Sequence, residues 1–493
     1  MVYYNADYQG TERHANATIL IKNCTILTLN SSKQIIPNGC VEIEGPYISF
    51  VGDEASYRVR NAAKGAEQII DGKGGILLPG FIDSHAHAGH GLTKTLGEGG
   101  VGMSGGWDAH MEQLYFQGTT PEFWKAEAYL SGLEKLKSGI TLGLSMFGSY
   151  PRFDDPENWA AHVEAMAEVG IRDILGMGPP NPPYPKTFRK WKKNGTYREY
   201  ALTHRDALLK TKEAVARYHG YGEGRILCYP TPSAIGKREG LSLEEHVLQN
   251  EEMLKISDEY GVPIHAHSYG GDISFTYRHS PFILRKGVSL AHCTGISSEE
   301  VQILAQTGVS VCSGPCTTAY ILNRCPVIEL LEAGCTVAFC SDASAPDRTF
   351  DLFEKMRVGI RLQRVHFRDP LVLPAGKALE MVTIDAAKAL GVDHLVGSIE
   401  VGKKADLVLL DMEKPHLYPL WQEPLRVVYQ AYPQDVDTVI VDGRVLMRNR
   451  TVVHLDEEAI LRQSQEEAWS ALKRVGLEKM VSLPNTLWQT THY

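Results

Sequence analysis

From about residue 80 onward the chain repeats one unit eight times: a short β-branched or apolar run ending in a polar residue, then an amphipathic segment. The runs are "GFIDSH" (80–85), "ITLGLSM" (140–146), "IRDILGM" (171–177), "RILCYPT" (225–231), "VPIHAH" (262–267), "VSLAH" (288–292), "GVSVCS" (308–313) and "TVAFCSD" (336–342). Between them lie helical patterns such as "PENWAAHVEAMAEVG" and "SLEEHVLQNEEMLKISDEYG". "SSEEVQILAQTG" carries its own punctuation, with Ser at the start, acids in the first turn and Gly at the end. Short strands alternating with helices predict a parallel α/β fold. Eight such units predict a (β/α)8 TIM-type barrel.

The flanks read differently. "ATILIKNCTILTLN" and "CVEIEGPYISFVGD" precede the repeats, and "DLVLLDM" and "DVDTVIVDGRVLMRNRTVV" follow them. These are short alternating strands without helices between them, and they predict a small composite β-sandwich built from both ends of the chain. The expected boundaries are 1–79 and 396–455 for the two parts of the sandwich, 80–395 for the barrel, and 456–493 for a charged helical tail.

Length and composition narrow the function classes. A chain of 493 residues holds one large and one smaller domain, and 43% hydrophobic with 22% charged residues is ordinary for a globular protein. The net charge of −9 speaks against a nucleic-acid partner, which calls for a basic surplus. No apolar run is long enough to span a membrane, and "MVYYNADYQGTERHANAT" lacks a signal peptide's apolar region. Nine cysteines, an odd number among apolar neighbours, read as reduced, buried thiols. A cytoplasmic enzyme with a small-molecule substrate is expected.

In a barrel of this kind the chemistry sits at the C-terminal ends of the strands, so the residues found there are informative. His85 and His87, two apart, leave the first strand on the same side. His267 closes the fifth strand, His292 the sixth and Asp342 the eighth. A single histidine at a strand end is more often a hydrogen-bonded core residue than a ligand. Imidazoles and a carboxylate converging from four strands on one mouth instead suit a divalent transition metal with a position left open for water. The tripeptide His-Ala-His occurs twice, at 85–87 and 265–267. His265 lies one layer deeper than the mouth, so the first copy is expected to give two ligands and the second one, with His265 as hydrogen-bonded support.

These residues carry a resemblance. "GILLPGFIDSHAHAGH", "SLAHCTGISSEEVQILAQTGVSVCSGP", "LLEAGCTVAFCSDASAPDRTFDLFEKMRV" and "ALEMVTIDAAKALGVDHLVGSIEVGKKADLVLLDM" resemble the amidohydrolase superfamily over roughly residues 18–460. The most similar subgroup is that of cytosine deaminases, guanine deaminases and chlorohydrolase-like triazine hydrolases. The resemblance implies His85, His87, His267 and Asp342 as metal ligands, with Asp342 and His292 as catalytic residues and a homo-oligomeric assembly. "IRDILGM" and "RILCYPT" offer no lysine or glutamate to bridge two ions, which leaves one divalent metal, zinc first, with iron or manganese as alternatives. In the long glycine-rich loop after the first strand, Trp107 and His90 are candidate substrate-binding residues. A second loop, "GPPNPPYPKTFRKWKKNGTYREY", has basic and aromatic residues that could cover the mouth or meet an anionic substrate, and in an acidic chain it reads first as a solvated lip or a subunit contact.

The sequence departs from the subgroup at one place. Its deaminases carry a glutamate three residues after the fifth-strand histidine, where it shuttles a proton to a ring nitrogen, and here that place is Gly270. Asp272 or Glu98 could reach in from a loop, and Asp272 is therefore a third candidate substrate-binding residue; a turn-capping role for Asp272 is the plain alternative. Without the glutamate, the leading expectation is hydrolysis of an amide, urea or carbamate C–N bond in a small cyclic or aromatic molecule. The alternative is an aminohydrolase or dechlorinating hydrolase of a purine, pyrimidine or triazine-like ring. An alternative of another class is a non-catalytic binding or assembly protein.

Overall fold

The computed structural model describes residues 18–60, 66–97, 106–149 and 151–490; Glu98 lies outside them. The eight expected strands are all present, at Phe81–His87, Ile140–Met146, Arg172–Met177, Ile226–Pro230, Ile264–Tyr269, Val288–Thr294, Ser310–Ser313 and Val337–Phe339. They pair in chain order as two four-stranded parallel sheets, the first four strands in one and the last four in the other. Backbone bonds bridge the halves: the amide of Asp342 donates to the carbonyl of His85 at 2.9 Å, and that of Ile235 to the carbonyl of His267 at 3.1 Å. The arrangement is a TIM-barrel-like α/β fold. The strands are buried on both faces, which is why they read as continuous apolar runs rather than as alternation.

The helices between them begin and end where the sequence punctuates. Helix Ser298–Thr307 opens on a reciprocal cap: Ser297 Oγ accepts from the Glu300 amide at 3.2 Å, and the Glu300 carboxylate accepts from the Ser297 amide at 2.9 Å. It stops at Gly308, whose φ of 71° is one a β-carbon disfavours. Replacing Ser297 with Ala should lower unfolding free energy by about 1 kcal/mol, read as a shifted denaturant midpoint at unchanged slope. No shift would mean that the carboxylate of Glu300 caps the helix alone.

Strands from both flanks of the parallel sheets join one eight-stranded sheet, and hydrogen bonding links them continuously rather than dividing them into two stacked sheets. Its centre is the parallel pairing of Thr18–Leu27 with Gln68–Pro79, and Leu407–Leu410 adds to the latter from the C-terminal side. Ile19, Ile21, Ile43 and Leu407 pack in a core of their own. Arg172, at the start of the third parallel strand, ties the two regions together through Asp406, at 2.7 and 3.0 Å, and Asp442, at 2.9 Å. The flanks also contain helices the sequence did not signal, Glu54–Arg60 and Glu423–Tyr429. The tail forms helix Glu457–Val475, capped by Asp456.

The proline-rich segment after the third strand is not an irregular loop. Lys186–Trp191 and Tyr197–Leu202 form an antiparallel hairpin. It is held from below by buried Arg152, which clamps Asp154 at 2.6 and 2.8 Å and donates to the Arg189 carbonyl at 3.0 Å. Asn194-Gly195 between the strands is a hairpin signal in its own right. All nine cysteines are unpaired, eight of them buried. Among the described residues no helix is long and apolar enough to cross a membrane.

Candidate active site

The two His-Ala-His copies face each other across the sheet ends in two layers. In the lower layer, His85 Nδ1 lies 2.8 Å from His265 Nε2, and His265 Nδ1 lies 2.7 Å from the hydroxyl of Ser289, its cross-strand partner. In the upper layer, His87 Nε2 lies 3.3 Å from His267 Nε2. The layers follow from the period of two along a strand. His265 is therefore taken up by hydrogen bonds beneath the mouth, while His267 faces it.

His267 Nδ1 donates to the carbonyl oxygen of Ser233 at 2.8 Å. A carbonyl can only accept, so the tautomer is fixed and the Nε2 lone pair points into the site. Asp342 lies just beyond the eighth strand at φ 50°. Its Oδ1 is 3.4 Å from His85 Nε2 and 3.3 Å from His87 Nε2, and its Oδ2 accepts from the Thr317 hydroxyl at 2.6 Å. Arg348 donates to the Asp342 carbonyl at 2.7 Å and to that of Ala345, closing the loop on itself.

The electrostatics favour a cation here. Burial pushes the imidazoles of His85, His90, His265 and His267 below their usual range and that of His292 down to about 3, so each is neutral with a lone pair to offer. Burial alone would push the Asp342 carboxyl up, but the Arg348 guanidinium and the contacts with His85 and His87 outweigh it and hold the group ionised. His85 Nε2, His87 Nδ1 and His292 Nδ1 are buried without hydrogen-bond partners, a cost that ligation removes for any nitrogen it engages. Two overlapping sets, His85/His267/His292 and His85/His87/Asp342, place their candidate ligand atoms within 4.8 Å of one another. Neutral nitrogens and one carboxylate oxygen are the donor set of a divalent transition metal. The residues fit the group.

The site opens into a cleft of ≈ 720 Å³. His90 and Trp107 line it. His90 is buried, stacked on His87 and 2.9 Å from the Tyr115 hydroxyl through Nδ1. Asn181 and Pro182, just ahead of the hairpin, supply part of the wall. Asp272 takes the capping role named as its alternative. It is not among the lining residues, because both its oxygens accept from Arg238, at 2.9 Å each, and one also accepts from the Tyr269 amide at 2.9 Å. The structure also explains Gly270. A β-carbon there would overlap the carbonyl oxygen of Gly295 and lie 3.0 Å from its carbonyl carbon, so the neighbouring strand end leaves no room for a glutamate.

Sequence reasoning missed Tyr269, Arg238 and Thr317 in the cleft wall. Tyr269 was within reach, since it continues the two-residue period of 265 and 267; Arg238 sits on a loop with no periodicity to read, and Thr317 on the helix Pro315–Tyr320, too short to show one.

A sequence profile described as the amidohydrolase family matches residues 76–446. Over 93% of this chain and 99% of the relative, the sequence is 29% identical to a 5'-deoxyadenosine deaminase of Methanosarcina mazei. It is 30% identical, over 93% of this chain and the whole of the relative, to a 5-methylthioadenosine/S-adenosylhomocysteine deaminase of Desulforudis audaxviator. The fold matches that of an adenosine deaminase from Xanthomonas campestris, solved with bound zinc, with a TM-score of 0.76 at 19% identity over 93% of this chain and 99% of the other.

Proposed function

This chain belongs to the amidohydrolase family, and on that premise we propose that it is a metal-dependent hydrolase that removes the amino group of an adenine-type ring as ammonia. The observation that carries the reading is likeness over more than nine-tenths of both chains to relatives named as deaminases of adenine-bearing compounds. The aminohydrolase alternative drawn from the sequence is the reading these relatives support, ahead of amide or urea cleavage. The proposal includes closure of the eight strands into one barrel over 80–395, flanked by 1–79 and 396–455 and followed by the tail 456–493. It also includes a cytoplasmic homo-oligomer, which light scattering checks.

His85, His87, His267 and Asp342 would hold one divalent ion, zinc first. Bound there, it supplies Lewis acidity, lowering the pKa of water and polarising the carbon under attack. Asp342 takes a proton from the attacking water and gives it to the leaving nitrogen; the C–O bond forms, the C–N bond breaks, and ammonia departs. The Thr317 hydroxyl on Oδ2 keeps the carboxylate oriented for both transfers. His292 faces the developing oxygen charge and hydrogen-bonds it. His90 and Trp107 bind the ring from the opposite wall.

Ring deamination needs a proton on a ring nitrogen, and position 270 cannot deliver it. Of the cleft's carboxylates among the described residues, Asp342 is engaged at the centre, which leaves Asp108 and Glu239. Of Asp108→Asn and Glu239→Gln, one should lower kcat about 10²-fold, seen in steady-state kinetics; two near-normal variants would put the proton source elsewhere. The reading as a whole is tested by offering the zinc-loaded protein adenosine, 5'-deoxyadenosine, 5-methylthioadenosine and S-adenosylhomocysteine beside aryl amides and ureas. Ammonia and the hydroxylated ring from at least one purine are expected. Cleavage of the amides alone would overturn it.

A further inference from the structure

His292 is held in an unusual way. It occupies an irregularity in strand pairing, where Ser268 pairs with His292 but Tyr269 pairs with Thr294, so that Cys293 is skipped. His292 and Cys293 both have positive φ, 70° and 47°, in the left-handed region where residues with a β-carbon are strained. Such an irregularity re-aims a side chain, and the ring it aims has no hydrogen-bond partner at Nδ1. What fixes the ring plane is stacking. His267 stacks on it, with centroids 5.3 Å apart and planes 14° apart, and Tyr269 stacks on it as well, at 5.4 Å and 15°.

Tyr269 in turn has a support. The guanidinium of Arg238 lies over its ring, 5.6 Å from the centroid. Arg238 is pinned by both oxygens of buried Asp272, and one of those oxygens also receives the backbone amide of Tyr269. Behind Arg238, its own backbone amide donates to His246 Nε2 at 2.9 Å, which anchors the loop to helix Leu243–Tyr260. A β-carbon at Gly236 would overlap the Asp272 side chain, so the loop closes tightly over the carboxylate.

We propose that Tyr269, backed by the Arg238–Asp272 pair, is a positioning residue that sets the ring plane of His292 for the reaction. The wall acts by contact between ring faces, so its phenol oxygen is dispensable and its aromatic face is not. The kinetic part of the claim rests on the deaminase reading above; the structural part stands without it.

Three variants test it. Tyr269→Leu should lower kcat about 10- to 100-fold, the scale of a misplaced catalytic group, with KM and zinc content near those of the parent. Tyr269→Phe should restore kcat to within a few-fold. In a His292→Asn background, Tyr269→Leu should add almost nothing, since the group it positions is gone. An equal loss in both backgrounds, a Phe variant as poor as Leu, or a rise in KM alone would overturn the proposal. Should Tyr269→Leu fail to fold, Arg238→Met serves in its place with the same expected pattern in smaller degree. An inactive parent would count against the deaminase reading only. The wall is then read from the His292 ring-proton resonances, which should move in the Leu variant and stay in the Phe variant; unmoved resonances in the Leu variant would refute it.

Discussion

Asp342→Asn is expected to lower kcat by about 10⁴-fold. The carboxylate stands where three roles meet: its Oδ1 lies beside His85 and His87, its Oδ2 accepts the Thr317 hydroxyl, and Arg348 closes the loop that presents it. An asparagine of nearly the same shape keeps one acceptor oxygen but cannot carry a proton from water to the leaving nitrogen. It also removes the negative charge that balances a divalent cation, so zinc should bind less tightly while the histidines still bind it. Steady-state kinetics at saturating zinc separate the two effects. A variant restored to parental kcat by added zinc would show that Asp342 serves only as a ligand.

Gly270→Glu, which puts at 270 the glutamate that the sequence resemblance led one to expect, should damage the protein rather than improve it. The Gly270 amide donates to the Thr294 carbonyl at 2.9 Å, which brings the two strand ends together. A β-carbon at 270 would then overlap the Gly295 carbonyl oxygen, a backbone atom that cannot swing aside. The strands would have to part next to His292, at a cost of about 2–3 kcal/mol of overpacking strain. The expected result is a lower denaturant midpoint together with lost activity. A stable variant with higher kcat would show that the strand ends separate freely and that position 270 is open to a proton-shuttling side chain.

The sites that were legible in the sequence share one property: each sits at the C-terminal end of a parallel strand or just beyond it. His85, His87, His267, His292 and Asp342 could be read because a period of two assigns faces and the barrel rule assigns the end. The same period separated His265 from His267 and predicted the two layers. The pairing of Asp272 with Arg238 was silent, because Arg238 lies on an aperiodic loop 34 residues away and no local pattern reports such a pair. The crowding at Gly270 was equally silent, being a contact with the next strand end. The hairpin at 186–202 was announced by Asn194-Gly195 but obscured by the prolines before it and the charges around it. In the flanks the alternation gave the strands, while the parallel pairing of Thr18–Leu27 with Gln68–Pro79 depends on a chain reversal that alternation does not encode.

The most direct test of the central claim is a zinc titration of chelator-stripped protein, read as the rate of ammonia release from a purine nucleoside at each ratio of metal to chain. Activity should be absent without metal, rise in proportion to zinc, and level off at one ion per chain. Ammonia release at full rate from stripped protein, or none at any zinc level, would contradict a metal-dependent deaminase built on His85, His87, His267 and Asp342.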